Sequence, residues 1–460
     1  MTPVASSVDT SSPVTSSPVT SSPVTRRPVT RSAITGKMEA TLLPRLLPSA
    51  GQPMDLQAHL QVHGDMHYRG GPQMLIRTIE SAGLTGRGGA AFPAHRKLTA
   101  VADQKKRAVV VGNGAEGEPA SDKDKTLLWS APHLVLDGLQ LAAEAVGARQ
   151  IHLYVHRNPR LIQRLESALA DRSRAGLDHL AVNLVSAPPR FLAGEESALA
   201  SRVEGGAALP RFTPPRVFER GVNGAPTLVQ NVETLAQLAL ISRHGPDWFR
   251  SVGTGAEPGS MLTTLRLADG SGRVAEAAIG TPIADLLQLR EHPARAVLVG
   301  GYHGAWLTPD QAGQLTLSNA DLKPLGAAVG AGVLAALPLD RCGLVESARV
   351  VRYLALESAG QCGPCLNGLP RISASLIQLA DCQSAPAATS ARDDLQRWSQ
   401  LVERRGACHH PDGTVRFLRS ALNVFAGELA LHETGRCSAG TYEPFLPIPA
   451  GSPGHEDDWG

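Results

Sequence analysis

Three consecutive valines, Val109 to Val111, run directly into a loop of glycines and carboxylates, Gly112 to Glu118, and this transition constrains the chain more than any other stretch. An unbroken β-branched run reads as a strand buried on both faces, as in a parallel sheet covered by helices. The helical pattern around Leu134 (HLVLDGLQLAAEAV) and a second strand-like run from Ile151 (IHLYV) continue the alternation. Residues 66–245 are therefore expected to form an α/β layer structure. The loop also spells G-x-G-x-x-G from Gly112 to Gly117. A dinucleotide fold would open a helix directly after it. Here Pro119 and a polar stretch follow, so the helix is expected to begin only near Leu134.

Two further segments carry chemistry. Between Gly83 and Lys97 the chain reads GLTGRGGAAFPAHRK, four glycines with two arginines and a lysine around Phe92. Glycines at this density let backbone N–H groups approach a phosphate or a flat ring, and Arg87 and Lys97 can neutralise the charge. The bland reading is a flexible loop. In FLAGEESALASRVEGGAALPRFTPPR, from Phe191 to Arg216, adjacent carboxylates Glu195 and Glu196 follow Gly194. Alone they fit a solvated helix start, where acids suit the helix dipole.

Taken in order, GRGGxxFPxxxK, N-x-x-E-x-E-P-x-x-x-K-D, GEE[ST]AL, EG…PR…PP and PT…NVET resemble the flavin-binding subunit of respiratory NADH dehydrogenase (complex I) and the related diaphorase subunits of hydrogenases and formate dehydrogenases. The resemblance covers about residues 65 to 440. It implies FMN in a pocket formed by these loops, NADH stacked over it, and one-electron transfer to an iron–sulfur cluster, the flavin carrying the chemistry. Carried over position by position, Gly86, Arg87, Gly88, Gly89, Lys97, Asn113, Glu116, Gly194, Glu195, Glu196, Gln230, Asn231 and Thr234 are expected to hold the flavin. Phe92 is expected to stack on the nucleotide's adenine. Glu118 and Glu195 are the expected catalytic carboxylates. The pattern has departures. Ala115 stands for Asp, Phe191 for Tyr and Gln230 for Asn, each altering one polar contact. The second adenine-stacking aromatic is Ala100, and Thr213 and Arg216 replace a lysine and another aromatic. Each lost aromatic pair forfeits about 0.5–1.5 kcal/mol beyond buried area. NADH or NADPH thus remain open as donors, with Arg216 either a surface residue or a 2′-phosphate partner.

Six cysteines, Cys342, Cys362, Cys365, Cys382, Cys408 and Cys437, are expected to be reduced thiols. ESAGQCGPCLNG resembles the family's cluster motif E-S-C-G-x-C-x-P-C-R-x-G, with Cys408 in the place of its last ligand. The resemblance implies an iron–sulfur cluster on Cys362, Cys365 and Cys408. Ala359 stands where the first cysteine belongs, leaving a 3Fe–4S cluster, or a 4Fe–4S cluster with a non-cysteine fourth ligand such as His409, His410 or Asp412, or with Cys342. A zinc site with a histidine, or inert thiols without a cluster, are the other readings.

Balanced charge, 44 basic against 42 acidic side chains, argues against nucleic acid or an anionic membrane as partner. The longest apolar stretch, LGAAVGAGVLAALPL from Leu325, is too short and glycine-rich to span a bilayer. No signal peptide is apparent, and a cytoplasmic protein without direct membrane insertion is expected. The SSPVT repeat makes residues 1–37 an expected disordered tail, with Met38 an alternative start. The further expectations are a linker at 38–65, a small SLBB-like β-grasp module at 250–325 with Tyr302 and Trp306 in its core, a helical iron–sulfur domain at 340–440, and a mobile tail at 441–460. The fold class is thus α/β: a flavin-binding α/β domain, the SLBB β-grasp module, then a helical bundle. By resemblance the partner is a thioredoxin-like 2Fe–2S protein or another iron–sulfur subunit, and the chain an NAD(P)H:acceptor oxidoreductase subunit. The alternatives are a non-catalytic flavin-binding or docking protein and an SLBB-based ligand-binding protein. Deleting residues 1–37 is expected to shift unfolding free energy by less than about 0.5 kcal/mol in denaturant titration.

Overall fold

In the computed structural model, residues 43–48, 51–66, 68, 70–104, 106–381, 385–440, 443–449 and 459–460 are described. All fall within one compact unit, Ala40–Gly460. The SSPVT tract and Cys382 lie outside the described residues.

The first layer system runs α1 (Leu56–His63), α2 (Gly71–Ala82), α3 (Ala94–Ala102), β1 (Ala108–Gly114), α4 (Lys123–Ser130), α5 (Pro132–Val146), β2 (Ala148–His156), α6 (Pro159–Ala175), β3 (Val182–Ala187), α7 (Glu196–Val203), β4 (Thr227–Asn231), α8 (Val232–His244) and α9 (Pro246–Arg250). Its four strands are all parallel, in the order β3-β2-β1-β4. Val110 enters one apolar cluster with Ile151, Leu153 and Leu228, while Val109 and Val111 enter another with Tyr154 and Val229. The sheet is thus covered on both faces, as the valine run requires.

Three expectations need correction here. The helix after β1 opens at Lys123, not near Leu134. Polar residues marked a loop in the sequence, but Lys123 and Asp124 are buried and satisfy each other (2.6 Å). The expected linker at 38–65 carries α1, N-capped by Asp55. Its buried His59 bonds Asp137 of α5 at 2.9 Å. Burial alone would raise the Asp137 pKa, but His59, Arg172 and Arg243 outweigh it and hold the carboxyl well below its usual range. In the expected mobile tail, the main-chain N–H groups of Phe445 and Leu446 donate to Glu346 (3.1 Å each). Trp459 lies beneath the Arg190 guanidinium at 4.0 Å.

The second system runs β5 (Ser260–Arg266), β6 (Gly272–Ala278), α10 (Ile283–Leu286), β7 (Ala294–Val299), β8 (Ala305–Leu307), α11 (Pro309–Gln314), α12 (Asn319–Leu322) and β9 (Val333–Pro338). It forms a mixed sheet in the order β6-β5-β9-β7-β8. Its central strand, β9, lies beyond the expected boundary at 325. The core of this sheet is Leu265, Val297, Leu334 and their neighbours. Tyr302 and Trp306 face away from that core. They belong to the cluster of the helical part, with Trp306 edge-on to Phe425 at 5.3 Å.

The helical part comprises α13 (Gly343–Leu356), α14 (Leu369–Ala380), α15 (Ala385–Val402), α16 (His410–Val424) and α17 (Ala426–His432). Helices α5 and α8 pack at a glycine: a Cβ on Gly138 would come 2.0 Å from the Leu235 carbonyl oxygen. Gly138→Ala is expected to destabilise by about 2–3 kcal/mol in denaturant titration, because backbone rather than a flexible side chain must move.

Candidate functional site

Strand order reverses beside β1. The chain proceeds outward through β2 and β3, and β4 then pairs on the other side of β1. In such sheets the crevice at the carboxyl ends of the two diverging strands is the preferred ligand position. Asn113 and Asn231 are register partners there. The loop after β1 leads into Glu116 and Glu118, and Asn231 caps α8, its Oδ1 accepting from Glu233 N at 2.9 Å.

The glycine-rich loop folds over this point. Gly86 N–H donates to the Phe92 carbonyl (2.8 Å), and Arg87 N–H donates to Thr234 Oγ1 in the first turn of α8 (2.9 Å). A Cβ on Gly88 would lie 3.3 Å from Asn231 Cβ, and Gly89 has φ +113°. On the far side, Asn113 Nδ2 donates to the Gly194 carbonyl (2.9 Å), and a Cβ on Gly194 would lie 2.6 Å from the Ala115 carbonyl oxygen. The glycines, Arg87, Asn113, Gly194, Asn231 and Thr234 are therefore brought together from four segments.

The electrostatics of this crevice call for a ligand. Arg87 is 5 % exposed. Its Nη1 donates to Thr85 Oγ1 at 2.8 Å, whereas Nε and Nη2 have no partner. Burial lowers its pKa, with Glu233 and Glu257 opposing. Gln230 Nε2 is a second buried donor without a partner. Leaving such donors unmet costs about 1–3 kcal/mol each, more for a charge. A phosphate-bearing, polar ligand supplies the missing acceptors, so the residues present fit FMN. Lys97 is already engaged, by Glu196 and by the Val229 carbonyl (3.2 Å).

Sequence reasoning missed the charges beneath. Lys123 Nζ pairs with Asp124 (2.6 Å) and Glu233 (3.0 Å), all buried. Burial would lower the lysine's pKa, but Asp124, Glu233 and Glu116 raise it overall. Glu116 accepts from the Ser121 hydroxyl and from Asp124 N–H (3.2 Å). Burial first, and Asp124 second, push it up to about 8. The K-D pair within the second motif was the available signal.

The two expected catalytic carboxylates separate in role. Glu118 is 8 % exposed and faces the turn between β7 and β8, where it accepts from Tyr302 N–H (2.6 Å) and from Ala120 N–H (3.1 Å). Burial pushes it up to about 7 against those two bonds. Gly301 (φ +86°) makes the contact close, since a Cβ there would lie 2.5 Å from Glu118 Oε2. Glu195 instead caps α7, accepting from Ser197 N–H and Ala198 N–H (3.0 Å each). That arrangement matches the bland reading of the Glu195–Glu196 pair as a helix start. Phe92 is exposed on the loop's rim, and Arg216 is exposed with its N–H bonded to Glu219 (2.8 Å).

The cysteine segment meets the flavin side at one carboxylate. Glu357, just past α13, accepts from Arg190 Nε (3.1 Å) and Phe191 N–H (2.8 Å). Phe191 in turn lies edge-on to His303 at 4.7 Å. Ala359 and Cys408 pack against the cluster containing Leu192 and Ala193, while Cys362 and Cys365 belong to the bundle's cluster. Burial pushes the Cys365 thiol up to about 12, with Cys362 and Cys408 adding to the rise and Ser358 opposing it. Three thiols thus converge where the flavin side meets the bundle, a donor set suited to iron–sulfur ligation.

Two of the proposed fourth ligands are excluded. Cys342 precedes α13, whose 14 residues span about 21 Å before the cysteine segment begins. His410 has both ring nitrogens engaged, by His303 (3.0 Å) and the Leu354 carbonyl (2.8 Å). His409 is fully exposed, and Asp412 accepts from Arg404 N–H (2.6 Å). A cavity of about 670 Å³ lies between α4, α6 and β5–β6, lined by Asp122, Trp129 and Arg160.

Comparison with known proteins agrees with this geometry. The family described as the Nuo51 FMN-binding domain matches residues 79–240, and the NADH-ubiquinone oxidoreductase-F iron-sulfur binding region matches residues 346–432. The chain is 30% identical over 391 residues to the F subunit of the Streptomyces coelicolor NADH-quinone oxidoreductase, covering 79% of this chain and 84% of that one. It is 27% identical over 386 residues to the second F subunit of NADH-quinone oxidoreductase in Rhizobium meliloti, covering 80% and 90%. Against the alpha subunit of the NAD-reducing hydrogenase HoxS of Cupriavidus necator it is 30% identical, spanning only 62% of that protein. A crystal structure of an NAD+-reducing nickel–iron hydrogenase in the H2-reduced state aligns with TM-score 0.71 and 27% identity, covering 80% of this chain and 64% of that one.

Arg87→Met is expected to weaken FMN binding roughly 10- to 100-fold in fluorescence titration, the value of charge-assisted hydrogen bonds, while stabilising the flavin-free protein against denaturant. Glu118 gives a pH signature. Its pKa is raised from 4.5 to about 7 on folding, so its contribution to stability is fully present below pH 4.5 and is lost as pH rises to about 7. The loss is about 3 kcal/mol, and Glu118→Gln is expected to flatten that part of the flavin-free stability profile.

Proposed function

Because the chain belongs to the family of the NADH-quinone oxidoreductase F subunits, we propose that it is the flavin- and cluster-bearing subunit of an NAD(P)H:acceptor oxidoreductase. The observation that carries this reading is the Glu357 carboxylate. It clamps the loop of Arg190 and Phe191, beside the flavin crevice, to the start of the cysteine segment. That clamp sets the relative position of a two-electron and a one-electron site.

Bound in this crevice, FMN would supply the change from hydride to single-electron chemistry, and an iron–sulfur cluster on the cysteine segment would supply one-electron transfer. The chain's own residues do the rest. Arg87 and Gln230 offer their unmet donors to the flavin's polar groups, and Gly86, Gly88, Gly89 and Gly194 let backbone approach it. Asn113, Asn231 and Thr234 hold the loops in register, and the Lys123–Asp124–Glu233 cluster keeps the crevice floor rigid. Glu118, with its pKa near neutrality, can hold or release a proton beside the crevice as charge changes there. Cys362, Cys365 and Cys408 ligate the cluster, and the lack of a thiol at Ala359 favours a 3Fe–4S form or a non-cysteine fourth ligand.

Relatives named as quinone-oxidoreductase and hydrogenase subunits work within larger assemblies, and this chain is proposed to pass its electrons to another iron–sulfur protein, a thioredoxin-like 2Fe–2S subunit being the first choice. The donor is NADH or NADPH, bound weakly because Ala100, Thr213 and Arg216 offer no aromatic sandwich. Ala359 also favours a second reading, a non-catalytic flavin-binding or docking subunit without a cluster. Among the described residues no helix is long and apolar enough to cross a membrane.

Anaerobic visible-absorption and EPR titration with NADH and then NADPH distinguishes the two. Bleaching of the flavin with growth of an iron–sulfur signal is the expected result. Iron-free protein whose flavin neither nucleotide bleaches would leave only the docking role.

A further inference from the structure

A second metal-ligating cluster lies at the opposite end of α13 from the cysteine segment. Cys342 immediately precedes α13, Glu428 and His432 lie one turn apart on α17, and Cys437 follows in the next loop. Their ligand atoms all lie within 4.8 Å of one another. Cys342, Glu428 and His432 are buried, at 2 %, 7 % and 1 % exposure.

Two of the ligand–ligand distances lie close to tetrahedral edges. Cys342 Sγ is 3.5 Å from His432 Nε2, and His432 Nε2 is 3.2 Å from Glu428 Oε1. With zinc bonds of about 2.3 Å to sulfur and about 2.1 Å to nitrogen or oxygen, tetrahedral edges span roughly 3.4–3.8 Å. The surrounding bonds orient each ligand. His432 Nδ1 meets the Leu379 carbonyl at 3.2 Å, which places a proton on Nδ1 and leaves the Nε2 lone pair facing the cluster. Ser438 N–H donates to the same Glu428 oxygen, Oε1 (2.8 Å), and Arg295 of β7 pairs with the other, Oε2 (3.2 Å). Ala439 N–H donates to Cys437 Sγ at 3.4 Å. A nitrogen lone pair, a carboxylate and two sulfurs converge at one point.

We propose that Cys342, Glu428, His432 and Cys437 bind one zinc ion in a closed, structural site, separate from the iron–sulfur thiols. All four tetrahedral positions are filled by protein, which leaves no coordination position for substrate. Binding releases the two thiol protons to solvent, and Arg295 faces the negative charge that two thiolates and a carboxylate leave around the ion. The ion joins the start of α13, α17 and the segment leading to the carboxyl terminus.

Metal analysis of the full chain, purified under reducing conditions with zinc supplied, tests this. About one zinc per chain is expected. It should fall at least tenfold in Cys437→Ser and His432→Ala, with flavin content unchanged. The double variant Cys362→Ser, Cys365→Ser should keep the zinc while losing iron. In the unaltered protein, alkylation of Cys342 and Cys437 should be blocked until a zinc chelator is added, a readout independent of whether any variant folds. Absence of zinc from the unaltered chain would overturn the proposal. So would zinc that disappears with the Cys362/Cys365 pair, or a Cys342–Cys437 disulfide in peptide mapping.

Discussion

The crevice that gathers the glycine-rich loop, Asn113 and Asn231 depends on the reversal of strand order beside β1. Parallel strands grow outward through β2 and β3, and β4 returns to the other edge of β1. The two diverging connections leave a gap at the strands' carboxyl ends that neither fills. Into that gap the fold delivers Asn113 from β1, Asn231 and Thr234 from the start of α8, the glycine-rich loop from above and Gly194 from the side. The close approaches at Gly88 and Gly194 show how little room a side chain would have.

Unmet charge in this gap contrasts with satisfied charge below it. Lys123 pairs with both Asp124 and Glu233 in a buried cluster, so each charge has a partner, the arrangement a dry interior tolerates. Arg87 keeps two guanidinium donors without partners in the same low-dielectric surroundings. A flavin bound there, as proposed, would relieve their desolvation cost and link binding to stability through one side chain.

Electron transfer needs two centres held at a set separation, and two rigid features do this. Glu357 ties the flavin-side loop to the beginning of the cysteine segment, and the Phe191–His303–His410 contacts fill the space between the β7–β8 turn and α16. Tyr302 and Trp306 extend the same seam, between the helices and the face of their sheet that carries Ala296, Leu298 and Ala335. The Glu118 contact with Tyr302 N–H makes that seam pH-sensitive near neutrality.

Much was legible in residue order alone. The valine run dictated a strand buried on both faces, since no polar position interrupts it. The glycine-rich loop, the Glu116–Glu118 loop and the C-x-x-C segment, taken in order, resemble the complex I flavin subunit, and that resemblance implied a flavin and an iron–sulfur centre. Sequence periodicity failed where burial depended on distant partners. Lys123 and Asp124 looked like loop residues until Glu233 arrived from the first turn of α8 to pair with the lysine. Residues 38–65 looked like a linker because His59 meets Asp137 only after folding. Cys342 looked like a spare cluster ligand, yet the length of α13 carries it to the other end of the bundle, beside His432 and Cys437. The order of the motifs along the chain, through the family it resembles, determined which cofactors to expect. Only the tertiary structure, by bringing together groups far apart along the chain, decided which side chains stand at each site.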